Sequence, residues 1–251
     1  MRRLFLPPEQ IARAREGVLL LSPDQAHYLK TVLRLREGDA VEVFDGEGTR
    51  IDARIAGAGV EGLALRLLGR TEKAPAPGPQ LVLAQALSKG DKLEVVIQKA
   101  TELGVARVIP FAAERSVVRL AEDRGAARAA RFRRIAQEAA RQCGRADVPA
   151  VDAPASWEDL FALLRQEPGL RGVLLDGGAQ SADLAQAAHH PGPGPARILI
   201  AVGPEGGFSP TEMERARANG FAAASLGPLT LRTETAGLAA LAILQHLHGA
   251  F

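Results

Sequence analysis

Two glycine-proline loops hold the residues best able to bind a ligand and act on it. The first, Gly203-Pro204-Glu205-Gly206-Gly207-Phe208, follows the fully apolar run Ile198–Val202. Its glycines let backbone N–H and C=O groups reach a ligand with no side chain in between. A phosphate loop of the Walker type ends in Gly-Lys-Ser/Thr, and a dinucleotide fingerprint spaces three glycines directly into the next helix. This loop has neither, and Glu205 places a carboxylate where it would repel phosphate. A phosphate-free ligand held through backbone groups fits better, such as an adenosine bearing a sulfonium. The alternative is a turn into the next helix whose glycines serve geometry alone.

The second loop, Ser225-Leu226-Gly227-Pro228-Leu229-Thr230-Leu231-Arg232-Thr233-Glu234-Thr235-Ala236-Gly237, carries a single cation, Arg232. Two such loops at neighbouring strand ends form a pocket more readily than either alone. Taken by itself, Arg232 also reads as a surface residue paired with Glu234. The five histidines (27, 189, 190, 246 and 248) form no ligand set with carboxylates, and Cys143 is the lone cysteine, so the reading is no metal and no internal disulfide.

The elements that must position these loops follow from the apolar pattern. Ser209-Pro210 with Glu212 three residues on reads as a capping box with proline at the first helical position, so the first loop lies between a strand and a helix. In open α/β sheets that carboxyl end of a strand is where ligands bind. After residue 80, strand-like runs alternate with helical ones. LVLAQAL, VARVIPF, GVLLDGG, RILIAVGP and AAASLGP read as strands. DKLEVVIQKATELG, with Leu93, Val96, Ile97, Ala100 and Leu103 on one face, the basic AARAARFRRIAQEAARQCG and the apolar TETAGLAALAILQHLHG read as helices. Such alternation predicts an α/β domain, a mostly parallel sheet with helices on both faces, over residues 80–251. Residues 1–73 read as a small β-rich domain, a barrel. Val41 and Val43 face Ile51, Ala53 and Ile55 across a hairpin turn, GLALRLLG adds a strand, and Ser22-Pro23 opens a helix with Tyr28, Leu29, Val32 and Leu33 at helical spacing. The proline-rich Glu72–Gln80 reads as the linker, and HHPGPGP as a loop.

Apolar content of 47% and charged content of 24% are ordinary globular values, and no run is long and apolar enough to predict a membrane span. The start MRRLFLPPEQ is too short for a signal-peptide core, which predicts a cytoplasmic protein. Net charge is +2, yet Arg107 to Arg145 holds ten arginines against Glu114, Glu122, Asp123 and Glu138. Either a polyanion partner or a solvated helix face accounts for that block.

GPEGGF followed by LGPLTLRTETA, with KATELGV and EAARQCGR upstream and RRLFL and HYLKTVLRLREGD near the start, resembles the SPOUT superfamily of methyltransferases. Within it the chain is most similar to the RsmE-type enzymes that methylate uridine N3 in 16S ribosomal RNA. The resemblance spans nearly the whole chain. It implies a trefoil-knotted SPOUT domain behind an N-terminal PUA-like RNA-binding β-barrel, a homodimer, and S-adenosyl-L-methionine held in the knot loops. It assigns Leu175 at the strand end Leu174–Gly177, Gly203, Glu205, Gly206, Leu226, Gly227, Leu231, Thr235 and Ala236 to the cofactor. Arg232 becomes the catalytic candidate, a cation for the charge that develops on the uracil carbonyls, with Glu234 orienting it. Arg2, Arg3, Lys30, Arg34, Arg36, Arg141 and Arg145 become candidates for RNA contact. No general base is identified. A SPOUT enzyme acting on another base or on a ribose 2′-hydroxyl, a non-catalytic RNA-binding adaptor, and, more remotely, an NAD-dependent enzyme remain open at this point.

Overall fold

Alternating apolar residues build the first of two sheets. In the computed structural model, which describes residues 2–59, 62–72, 78–116, 122–177, 181–189 and 195–250, the chain divides into two compact units. The first comprises residues 1–75 together with Ala140–Val148. Its elements are β1 (Arg3–Phe5), α1 (Pro8–Ile11), β2 (Val18–Leu20), α2 (Pro23–His27), β3 (Ala40–Phe44), β4 (Thr49–Gly59) and β5 (Gly62–Glu72). The strands run in the order β1-β3-β4-β5-β2, with β1 parallel to β3 and the other pairs antiparallel. Val41 pairs with Ala53 and Val43 with Ile51, so the expected hairpin forms. Leu4 of β1 and Leu19 of β2 lie in one core with Val41, Val43, Ile51, Ile55 and Leu65. The two edge strands thus share a core although, among the described residues, no ladder joins them; the sheet curls around its own interior.

Ser22 caps α2 as expected, its hydroxyl accepting from Gln25 N while the Gln25 side chain accepts from Ser22 N. The helix then loosens into a π-helical turn, Tyr28–Val32. That turn spends an extra residue per revolution, so the apolar phase slips. Leu29 and Leu35 are buried, whereas Val32, expected on the inner face, is 60% exposed.

The second unit holds β6 (Gln80–Ala86), α3 (Lys92–Glu102), β7 (Arg107–Phe111), α4 (Glu122–Cys143, its last turn counted with the first unit), β8 (Ala150–Val151), α5 (Trp157–Gln166), β9 (Leu170–Leu175), β10 (Ala182–Asp183), α6 (Leu184–Ala187), β11 (Arg197–Val202), α7 (Pro210–Ala218), β12 (Phe221–Ser225) and α8 (Thr233–Leu247). Its seven strands run β10-β12-β9-β11-β6-β7-β8, every pair parallel. β11 is apolar from Ile198 to Val202 because it is covered on both faces. On one side Leu199 and Ala201 meet Trp157, Phe161, Phe208 and Phe221. On the other α8 comes so close that a Cβ on Gly237 would lie 3.0 Å from Gln85 Oε1, 3.3 Å from Leu83 and 3.4 Å from Val202. Among the described residues no helix is long and apolar enough to cross a membrane. Most of the linker Glu72–Gln80 and of the loop HHPGPGP lies outside the described residues.

Arg3 departs from expectation. It is 3% exposed, and its Nε donates to Glu42 Oε1 at 2.6 Å. Nη1 donates to the carbonyls of Ala140 (3.0 Å) and Arg141 (3.2 Å), and Nη2 to that of Arg145 (2.9 Å). Arg50 Nη2 adds a bond to Gly144 O at 2.8 Å. A planar guanidinium suits the orphan carbonyls at a helix C-terminus, and here it ends α4. Arg3 is therefore a buried structural residue and is corrected from an RNA contact. Arg3→Ala takes from the buried Glu42 its closer cation, leaving Arg50 at 3.8 Å, and strips three helix-end carbonyls of their donor. It is expected to cost about 3–5 kcal/mol, read from the denaturant midpoint of the full chain.

Candidate active site

Three adjacent strands, in the order β12-β9-β11, end at the same edge of the parallel sheet. The segments leaving them enclose a cavity of about 550 Å³, the size of a small-molecule pocket. Leu175, Gly203, Glu205, Gly206, Leu226, Gly227, Leu231 and Ala236 all line it, so two separate glycine loops and a third strand end meet in one place. Arg232 lines it as well. Thr235 does not; it is exposed on the first turn of α8.

Each loop is held by bonds the sequence half discloses. The capping box of α7 forms, Ser209 Oγ accepting from Glu212 N and Glu212 Oε2 from Ser209 N. Glu212 is 4% exposed, and its Oε1 also accepts from Trp157 Nε1 (2.7 Å) and Glu114 N (2.8 Å). Arg115 Nη1 donates to Gly206 O at 2.8 Å, tying the glycine loop to the segment after β7. Gly207 has φ +65° and Gly227 φ +113°, conformations that favour glycine. Beneath the loops, Gln85 Nε2 donates to Thr233 Oγ1 (2.8 Å), which donates to Gly203 O (2.6 Å). This buried chain fastens the end of β11 to the start of α8.

The mouth of the cavity is ionic. Lys92 Nζ donates to Glu205 Oε1 at 2.7 Å and lies 3.8 Å from Glu234 Oε2, while Arg232 Nη1 lies 4.0 Å from Glu234 Oε1. The hydrogen bond from Lys92 holds the Glu205 carboxyl below its ordinary range, and the bond to Glu205 raises the Lys92 ammonium above its own. Lys92 and Asp176 line the cavity without having been read as site residues. Lys92 opens the helix that follows β6, and the sheet order, which sets β6 beside β11, brings it to the same sheet edge.

The remaining candidates for RNA contact divide. Lys30, Arg34 and Arg36 are exposed, and Arg2 is exposed 3.4 Å from Asp39. Arg141 stacks over the Tyr28 ring at 4.4 Å, and Arg145 is bound by Asp147 at 2.5 Å.

A parallel sheet with a small-molecule-sized cavity at its strand ends, in a chain that also carries a small curled β unit, defines a class of two-unit α/β proteins. Comparison with known proteins narrows it. A family model described as an RNA methyltransferase domain matches residues 75–245, and one described as an RNA methyltransferase PUA domain matches residues 21–68. The chain belongs to this RNA methyltransferase family. Among its relatives, the ribosomal RNA small subunit methyltransferase E of Bacillus subtilis is 31% identical, covering 98% of this chain and 96% of that one. The Synechocystis protein of the same name is 35% identical, with 98% and 77% covered. The methyltransferase E of Neisseria gonorrhoeae, solved bound to S-adenosyl methionine, superposes with a TM-score of 0.85 at 29% identity, covering 98% of each chain.

The Lys92–Glu205 bond carries a pH signature. A depressed carboxyl contributes stability above its ordinary value and loses it as pH falls through the depressed one. A raised ammonium contributes below its ordinary value and loses it as pH rises through the raised one. The tether therefore holds across the neutral range and opens at both extremes. A carboxyl ¹³C NMR titration is expected to place the Glu205 midpoint below that of an ordinary glutamate, and Lys92→Met to return it upward.

Proposed function

We propose that the protein transfers a methyl group from S-adenosyl-L-methionine to N3 of a uridine in 16S ribosomal RNA. The observation that carries this reading is the single cavity formed by both glycine loops, phosphate-averse at Glu205 and bordered by an exposed guanidinium. The similarity to methyltransferases solved with that cofactor supports it. The residues suit the group. Backbone at Gly203–Gly206 and Leu226–Gly227 provides donors and acceptors for an adenosine, and Leu175, Leu231 and Ala236 provide apolar walls. When bound, S-adenosyl-L-methionine supplies an activated methyl on a sulfonium.

The chain's own residues position the substrate and answer its charge. Loss of the N3 proton spreads negative charge onto the uracil carbonyls, and Arg232, with its side chain 84% exposed, is the cation placed to meet it. Holding both reactants in one cavity supplies much of the remaining acceleration. Lys30, Arg34, Arg36 and Arg2 of the first unit provide exposed charge for the RNA backbone, so binding weakens with salt. The trefoil knot, a cytoplasmic location and a homodimer belong to the same reading; Ile243 and Leu247 of α8, both exposed, supply apolar surface for a second copy.

Nucleoside mapping of ribosomal RNA from a deletion strain is expected to show loss of one 3-methyluridine; unchanged 3-methyluridine, or loss of another methylated nucleoside, rejects the assignment. Arg232→Ala is expected to bind the cofactor normally by calorimetry and to lose about 10²–10³ in kcat. Near-normal turnover would remove Arg232 from the mechanism.

A further inference from the structure

Four charges of alternating sign form a series at the cavity, Glu205, Lys92, Glu234 and Arg232, of which all but Glu234 line it. Three distances define the series, 2.7 Å, 3.8 Å and 4.0 Å. Glu234 is the pivotal member. Its Oε2 is buried and accepts no hydrogen bond among the described residues, so Lys92 at 3.8 Å is what answers its charge there. On its other side Arg232 stands beyond hydrogen-bonding distance with its side chain 84% exposed.

Without Lys92, Glu234 would be left facing the Arg232 guanidinium. A carboxylate and a guanidinium prefer a close, two-pronged pair, and a small rotation of either side chain would form it. Arg232 would then be neutralised by its own neighbour and turned away from a substrate anion. We propose that Lys92 is a positioning residue, which engages Glu205 and Glu234 so that Arg232 stays available to the anion formed on the substrate base. The proposal rests on the methyl-transfer reading and deepens it. Three further observations agree. Glu205 and Lys92 shift each other's titration through their hydrogen bond, and Arg232 opposes the charged form of Lys92, as a nearby cation must. Lys92 and Glu205 are also both well exposed, at 37% and 41%, and exposed ion pairs add little to stability. The consequence of removing Lys92 is therefore expected in turnover rather than in folding.

The experiment uses the full-length protein, small-subunit ribosomal RNA and S-adenosyl-L-methionine. Cofactor affinity is measured by calorimetry, thermal unfolding checks the fold, and single-turnover methylation gives the rate. Lys92→Met is expected to unfold at the wild-type temperature, to bind the cofactor within about twofold, and to react about tenfold more slowly. Lys92→Arg is expected to keep most of the rate. The double variant Lys92→Met/Glu234→Gln is expected to recover most of what Lys92→Met loses, because the carboxylate that captures Arg232 has gone; such non-additivity marks coupled neighbours. Wild-type rate in Lys92→Met, a loss confined to cofactor affinity, or a double variant no faster than Lys92→Met overturns the inference alone. A wild-type protein that neither binds the cofactor nor methylates the RNA overturns the methyl-transfer reading and this inference with it.

Discussion

The hydroxyl of Thr233 accepts a hydrogen bond from Gln85 and donates one to the carbonyl of Gly203. Through those two bonds the end of β6, the end of β11 and the first turn of α8 become one fixture. Gln85 and Thr233 are both buried, so each bond has little competition from water and each partner would be costly to leave unmatched. The approach of α8 that makes the chain of bonds fit depends on Gly237, where any side chain would press on Gln85. The first glycine loop leaves this fixture at the end of β11, and the second runs into it at the start of α8. Their mutual placement is therefore set by the sheet and α8 rather than by the loops' own conformational preferences.

On that frame the site is tuned by charge. Its cations reach the mouth from different elements, Lys92 from α3 and Arg232 from the start of α8, while its glycines keep the walls low. Glu205 fits this arrangement. In the sequence it looks like a barrier to phosphate; in the structure it is also the partner that draws Lys92 across to the β11 loop.

Much of this was legible because it is local. Capping boxes at Ser22 and Ser209, the hairpin between Val43 and Ile51, and the apolar β11 are written within a few residues of themselves. The cavity was legible because consecutive glycine loops follow strands that end at one edge. What escaped involved distant partners or broken phase. Arg3 reads as a surface cation, and only a segment some 140 residues further on buries it. Val32 sits at proper helical spacing, but a π-helical turn rotates it outward. Lys92 belongs to a helix whose apolar face dominates its pattern, and its role depends on sheet order, which spacing within one segment does not encode.

The return of Ala140–Val148 to the first unit has a consequence for the chain as it is made. Phe44 packs against Ala140 and Ala146, and Arg3 and Glu42 close beneath the end of α4. Those partners do not exist until more than half of the polypeptide has been synthesised. During translation the first unit must wait with an unfinished core and with Arg3 lacking its carbonyl partners while strands of the second unit emerge. Its completion is therefore timed by the synthesis of α4 and the few residues that follow it.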